Sequence, residues 1–351
     1  MIAKPEIEIA GRKIGAAHAP YVICELSGNH NGSLDRALAM VDAAAATGCD
    51  AIKIQTYTAD TITMDVDRPE FRIHGGLWDG RSLYELYQEA HTPFEWHAAI
   101  FARAKAAGVT IFSSPFDETA VDLLESLGAP AYKIASFEAV DLPLIRYAAA
   151  KGKPLVISTG MANLAEIEAA RDAALAAGAA GVVLLHCVSS YPATFADANV
   201  RTVADMAQRF GCPIGLSDHT PGTAASVAAV AMGASVIEKH FTLARADGGP
   251  DAAFSLEPVE FKALVDDTKA AWAALGRAHY DVLGSEAGSL LFRRSLYVTA
   301  DVPAGAALSR ANVRSIRPGN GLAPAHFDTV LGRRAARDLA RGEPLAWDML
   351  A

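Results

Sequence analysis

Long apolar runs are missing from this 351-residue chain: none approaches the roughly 18 residues that a membrane-spanning helix requires. The opening stretch, MIAKPEIEIAGRKIGAAHAP, has no apolar h-region, so no secretory signal is expected. Cysteine is scarce. The four thiols, Cys24, Cys49, Cys187 and Cys212, stand far apart with no C-x-x-C pair, which predicts buried free thiols in a reducing cytosol. Positive charge is also in short supply. A formal net charge of −9 argues against nonspecific nucleic-acid binding, while a small anionic substrate answers to local charge alone. The expectation is a soluble cytoplasmic protein with neither a membrane nor a nucleic-acid partner. With 51% hydrophobic and 20% charged residues the composition is that of a globular protein with a sizeable core, and the length suggests a large domain plus a small one.

What is present is a repeated phrase. Apolar runs of strand length occur at YVICELS (21–27), DAIKIQTY (50–57), VTIFSSPF (109–116), AYKIAS (131–136), PLVISTG (154–160), GVVLLHCV (181–188), PIGLSDHT (213–220) and SVIEKHFT (235–242). Helical patterns lie between them. SLDRALAMVDAAAATG has apolar spacing near 3.6, a cap at Ser33 and a closing glycine; PFEWHAAIFARAKAAG and NLAEIEAARDAALAAG behave alike. Continuous apolar strands alternating with amphipathic helices imply a parallel sheet buried on both faces. Eight such units predict an α/β fold of the (β/α)8 TIM-barrel type. A doubly wound open sheet is the alternative, but no G-x-G-x-x-G follows the first strand and eight units favour closure.

Polar residues gather at or just past the C-terminal ends of these strands: Glu25, Lys53 and Gln55, Ser113 and Ser114, Lys133 with Ser136 and Glu138, Ser158 and Thr159, His186 and Ser189, Ser217 with Asp218 and His219, and Glu238 with Lys239 and His240. One buried lysine could be a structural ion pair. Eight strands all ending in polar groups fit a functional mouth better, because barrel active sites form there. His219 and His240 end adjacent strands. Two imidazoles could hold a divalent metal with open positions, two lysines and a ring of hydroxyls could hold a phosphate or carboxylate, and Glu25 could act as general acid or base if burial raises its pKa. Together these favour an enzyme acting on a phosphorylated small molecule.

Two regions break the rhythm. Residues 59–92 form a long insertion after the second strand, containing a short helix at SLYELYQEA, and are expected to wall the substrate with Leu77, Trp78 and Tyr84. From about residue 291 the pattern turns short, β-like and rich in Pro, Gly and Arg, which predicts a separate small domain. The expected boundaries are a barrel at 1–280, a linker at 281–291 and a small domain at 292–351.

The phrases ELSGNHNGSLDRAL, GCDAIKIQTY, AYKIASFE, VISTGM, LLHCVSSYP, IGLSDHT, IEKHFT, GPDAAFSL and RPGNG resemble the sialic acid synthases, in order and over essentially the whole chain. That family condenses phosphoenolpyruvate with an N-acetylated amino sugar. LSGNHNGSL, QTYTADTIT and the 76–97 stretch look like its pseudaminic acid synthase branch, with the N-acetylneuraminate and legionaminic acid branches as near alternatives. The C-terminal segment resembles the family's antifreeze-like (SAF) β-clip domain. The resemblance implies that His219 and His240 bind Mn2+ or Mg2+ and, with Glu25, form the catalytic set. It implies that Lys53, Ser114, Lys133, Ser136, Ser158, Ser189 and Ser217 bind phosphoenolpyruvate, although the family often has threonine at the Ser114 position and asparagine at the Ser189 position. Gln55, Glu138, Tyr191, Glu238, Asp251 and Arg317 would position the sugar, and Ser113, Thr159, Asp218 and Lys239 would support these groups. His186 is expected to be structural. A domain-swapped homodimer is implied, each site built from one barrel and the partner's small domain. The rival readings are a condensation on a phosphorylated aldose, a noncatalytic carbohydrate-binding barrel, and a small domain with its own carbohydrate- or ice-binding task.

Overall fold

A computed structural model describes residues 5–351. The chain divides into two compact units that meet in sequence at Gly276 and Arg277.

The first unit opens with a hairpin that the sequence pattern did not predict, β1 (Glu6–Ile9) and β2 (Arg12–Gly15). Its four-residue strands are too short to show periodicity. Eight parallel strands then close a barrel in sequence order: β3 (Tyr21–Glu25), β4 (Ala51–Thr56), β5 (Thr110–Pro115), β6 (Tyr132–Ile134), β7 (Leu155–Ser158), β8 (Val182–Cys187), β9 (Ile214–Asp218) and β10 (Val236–His240). Closure is the pairing of β10 with β3, which sets His240 beside Glu25. All eight predicted strands are present, so the open-sheet alternative is excluded.

Side chains alternate between two apolar environments, which is why the strands read as continuous apolar runs. Inside, Tyr21, Ile23, Ala51, Phe112, Ala131, Val156, Val183, Leu185 and Val236 pack with Ile9 and Ile14 of the hairpin, which plugs the N-terminal end. Outside, Val22, Ile52, Ile134, Ile157, Leu184 and Ile237 pack against the helices. Ser33 caps α1 (Leu34–Ala46) by accepting from the Arg36 amide, as the sequence predicts, and Asn163 forms a capping box on the helix Leu164–Ala176. The 59–92 insertion holds two helices, α2 (Ala59–Ile62) and α3 (Leu83–Ala90). Tyr57, at the root of the insertion, packs edge-on against Tyr87 and Phe116 and ties α3 to the barrel.

In the second unit β11 (Ser295–Val298) pairs antiparallel with β12 (Val313–Ile316). Its own core gathers Leu296, Val298, Val302, Leu308, Val313, Val330, Leu339 and Leu345. Before it, residues 273–294 are exposed throughout, and Tyr280, Leu283, Leu291 and Phe292 turn apolar surface to solvent. No helix among the described residues is long and apolar enough to cross a membrane.

Candidate active site

Strand parity decides which polar groups face the barrel lumen. Because Tyr21, Ala51, Phe112, Ala131, Val156, Leu185, Gly215 and Val236 point inward, so do the residues two or four further on. These are Glu25, Lys53, Gln55, Ser114, Lys133, Ser158, Cys187 and, on the last two strands, Ser217, His219, Glu238 and His240. Apart from Gln55, each is buried.

At the centre two lysines and two carboxylates interlock. Lys53 Nζ lies 2.8 Å from Glu25 Oε2 and 3.2 Å from Glu238 Oε1, and Lys133 Nζ is 3.8 Å from the same Glu238 oxygen. Gln55 Nε2 donates to Glu25 Oε1 at 3.0 Å and to Ser27 Oγ. Burial pushes the Glu25 carboxyl up, and the Lys53 charge does not fully offset it. Burial would raise Glu238 too, but Lys133 and Lys53 outweigh it and hold that carboxylate low. Burial lowers Lys133, whereas two neighbouring carboxylates keep Lys53 high against the same penalty. Two carboxylates in one lumen are thus driven apart, one toward its proton and one toward its charge.

Hydroxyls surround this cluster. Ser114 Oγ accepts from Lys53 at 3.3 Å, Ser217 Oγ lies 3.4 Å from Glu238 Oε1, and Ser189 Oγ donates to Ser136 Oγ at 2.7 Å. Gly160 permits that last pair: with φ of +47°, a Cβ there would stand 2.6 Å from Ser136 Cβ and 2.8 Å from Ser189 Oγ. Ser158 Oγ, Glu238 Oε2 and Glu138 Oε2 are buried without a hydrogen-bond partner. Burial raises Glu138 to about 7.

The two histidines sit at one side of the mouth, ring centroids 5.3 Å apart. His219 Nδ1–H donates to the Val188 carbonyl at 2.9 Å, leaving Nε2 bare. His240 Nδ1 has no partner, and burial pushes its pKa well below the usual histidine value, so the ring is neutral. Burial would lower His219 as well, but Cys187, the Val188 carbonyl and Glu238 outweigh it and raise that ring's pKa. Two imidazoles at one side of the mouth are the donor type a divalent ion takes, so such an ion fits these residues, and binding it would displace any proton His219 holds. Among the described residues no three His, Cys, Asp or Glu side chains converge as a closed cage. Two imidazoles alone would leave coordination positions open. Tyr191 and Phe254 flank the pair, at 4.4 Å from His219 and 4.9 Å from His240 respectively. Asp251 accepts from Ser27 Oγ and lies 3.8 Å from His240 Nδ1.

The outward-facing polar residues make a second layer. Ser113 Oγ bonds Thr56 and the Ile54 carbonyl, Thr159 Oγ1 bonds the Leu185 carbonyl, and Lys239 pairs with Asp218 at 2.8 Å. His186 also points away from the lumen, bonding the Ala198 carbonyl at 2.8 Å. Arg317 belongs to the second unit, exposed just past β12. Sequence reasoning did not single out Ser27, Asn29, Cys187 or Phe254. The first two lie inside SGNHNGS and the last inside GPDAAFSL, but nothing local marks which residue of such a phrase turns inward.

Buried lysines, split carboxylates and paired imidazoles at one barrel mouth define an enzyme for anionic substrates. The chain belongs to the NeuB family, whose profile matches residues 40–280; residues 293–351 match the SAF domain. It is 43% identical over 325 residues to a pseudaminic acid synthase of Campylobacter jejuni, covering 93% of this chain and 95% of that one. It is 36% identical to an N,N'-diacetyllegionaminic acid synthase of Legionella pneumophila, covering 95% of each. Among solved structures, the N-acetylneuraminic acid synthetase of Leptospira borgpetersenii superposes with a TM-score of 0.73 at 31% identity, over 82% of this chain and 95% of that one.

Proposed function

We propose that the chain condenses phosphoenolpyruvate with 2,4-diacetamido-2,4,6-trideoxy-altrose and water, giving pseudaminic acid and phosphate by C–O cleavage. The observation that carries the reaction class is the placement of buried Lys53 and Lys133 beside the His219–His240 pair in one lumen. The greater identity to the Campylobacter relative than to the Legionella one favours this sugar over the legionaminic precursor.

In the reaction C3 of phosphoenolpyruvate bonds to C1 of the open-chain sugar, water adds at C2, and the resulting intermediate expels phosphate. Lys53, Lys133 and the hydroxyls of Ser114, Ser136, Ser158, Ser189 and Ser217 hold the phosphate and carboxylate, where charge-assisted bonds are strongest. Glu25, its pKa raised by burial and its carboxyl fixed by Gln55, exchanges the proton of the attacking water through its Oε atoms. His219 and His240 would hold Mn2+ or Mg2+, which as a Lewis acid supplies polarisation of the sugar aldehyde. Glu138, Tyr191, Glu238 and Asp251 orient the sugar, and the fixed donors around it act where charge develops.

The barrel, residues 1–280, is the catalytic domain in this reading, and 292–351 is a cap joined by 281–291. The cap serves the barrel of a second copy and contributes Arg317 there. Two facts support an exchange between copies. The 273–294 stretch leaves apolar side chains exposed, and residues 277–351 carry ten arginines, no lysine and seven carboxylates in a chain that is acidic as a whole.

The test is phosphate release with phosphoenolpyruvate and each of three sugars: the 6-deoxy diacetamido altrose, the legionaminic precursor and N-acetylmannosamine. The altrose derivative is expected to have the highest kcat/KM. Equal values for all three would overturn the assignment of the sugar, and no release with any would overturn the reaction.

A further inference from the structure

The insertion after β4 reaches the histidine side of the site through Trp78. Trp78 Nε1–H donates to the Pro250 carbonyl at 3.0 Å, and its ring centroid lies 5.8 Å from that of Tyr191. Pro250 precedes Asp251, which is bonded by Ser27 and stands beside His240. Tyr191 lies against His219. One indole therefore touches the supports of both histidines from outside. The other two residues expected in the substrate wall behave differently: Leu77 is 49% exposed, and Tyr84 faces Asp60.

The loop that Trp78 grips joins β10 to the helix Pro258–Leu275. Its opposite flank is clasped by the loop between β3 and α1. Asn29 Nδ2 donates to the Phe241 carbonyl and to Ser255 Oγ, Asn31 Nδ2 to the carbonyls of Asp247 and Gly248, and Arg36 pairs with Asp247. Gly249, at φ +122°, sits so close to Asn31 Oδ1 that no side chain fits between them. The Asn29 flank is a fixed part of the barrel, whereas Trp78 comes from a separate excursion of the chain. A tryptophan present only for bulk has no need to reach a carbonyl 172 residues away.

We propose that Trp78 is a positioning residue: it holds the Pro250–Asp251 segment and Tyr191 at the sugar end of the site, so the insertion governs sugar binding through that loop and not by lining the pocket. The sugar part of this rests on the function proposed above; the coupling between the two loops does not.

Two measurements on the full chain test it, with Trp78→Phe and Trp78→Leu. Without substrate, amides of residues 247–256 exchange hydrogen roughly tenfold faster in both variants, as expected for loss of one hydrogen bond in a local opening, while β3 to β10 are unchanged. With phosphoenolpyruvate and the diacetamido sugar, KM for the sugar rises roughly tenfold and KM for phosphoenolpyruvate stays within about twofold. Trp78→Phe falls between wild type and Trp78→Leu because it keeps a ring against Tyr191. Unchanged exchange at 247–256 in Trp78→Leu overturns the proposal, and so does an equal rise of both KM values, which a merely structural role would give. If wild type releases no phosphate from this sugar, the substrate reading fails and the exchange result alone decides the role of Trp78.

Discussion

His186 and His219 both stand at the end of a barrel strand, and parity alone separates them. Leu185 and Gly215 face the lumen, so His186 faces the helices and His219 faces the mouth. The difference is testable by metal binding. His219→Ala is expected to lose both activity and bound Mn2+ while its circular dichroism stays that of wild type. His186→Ala is expected to retain the metal. Isothermal titration with Mn2+ reads both, and wild-type affinity in His219→Ala would remove the histidine pair from the assignment. Neighbouring residues divide in the same way along every strand. Lys239 lies between two lumen-facing groups, Glu238 and His240, yet its ammonium is spent on Asp218 and the Thr220 carbonyl outside the barrel.

At the scale of an element, the loop between β3 and α1 shows how a motif works by clasping. Its Asn29 is fully buried and its His30 nearly so, with Nδ1 accepting the Gly32 amide and the ring edge-on to Trp96. Burial, with a smaller contribution from His91, pushes His30 from 6.5 down to about 4. A base lowered on folding contributes stability that is present above its unfolded pKa and is lost as pH falls toward the folded one. The unfolded chain takes up this proton first, so between pH 7 and pH 5 the barrel loses about 2 kcal/mol through His30. His30→Asn should therefore flatten the dependence of the barrel's urea midpoint on pH over that interval. A variant with the wild-type slope would show that His30 does not carry it. The same element explains why SGNHNGS reads as a signature although no side chain from Asn29 to Ser33 enters the catalytic cluster: its amides and carboxamides hold the loop that carries Asp251.

At the scale of the molecule the question is whose barrel a cap serves. If Arg317 completes the partner's site, chains carrying Glu25→Ala and Arg317→Ala, each nearly inactive alone, should complement when refolded together. In a mixed dimer the barrel with Glu25 intact receives the cap with Arg317 intact. One site in two is then whole, and random pairing of equal amounts should restore about a quarter of wild-type activity. Mixing that restores nothing would mean that each cap serves its own barrel. The exposed apolar run at 273–294 offers a second check, since burial in a dimer would protect its amides from hydrogen exchange at concentrations where the dimer forms.

The sequence by itself determined the barrel. Eight apolar runs, the helical patterns between them and capping residues such as Ser33 are local signals, and burial on both faces leaves each strand continuously apolar. It also marked Glu25, Lys53, Lys133, His219 and His240, because a charged or imidazole side chain at the end of such a run is conspicuous. Tertiary structure alone decided the rest. The β1–β2 hairpin becomes recognisable only when Ile9 and Ile14 meet the barrel's inner layer. That Glu25 is raised while Glu238 is held low depends on two lysines from two other strands, since a pKa is set by groups within a few ångströms and not by neighbours in sequence. Trp78 shows the same limit. Composition could suggest an apolar wall from Leu77, Trp78 and Tyr84, but only the folded chain brings one of the three within 3.0 Å of the Pro250 carbonyl, because a contact spanning 172 residues leaves no trace in local periodicity.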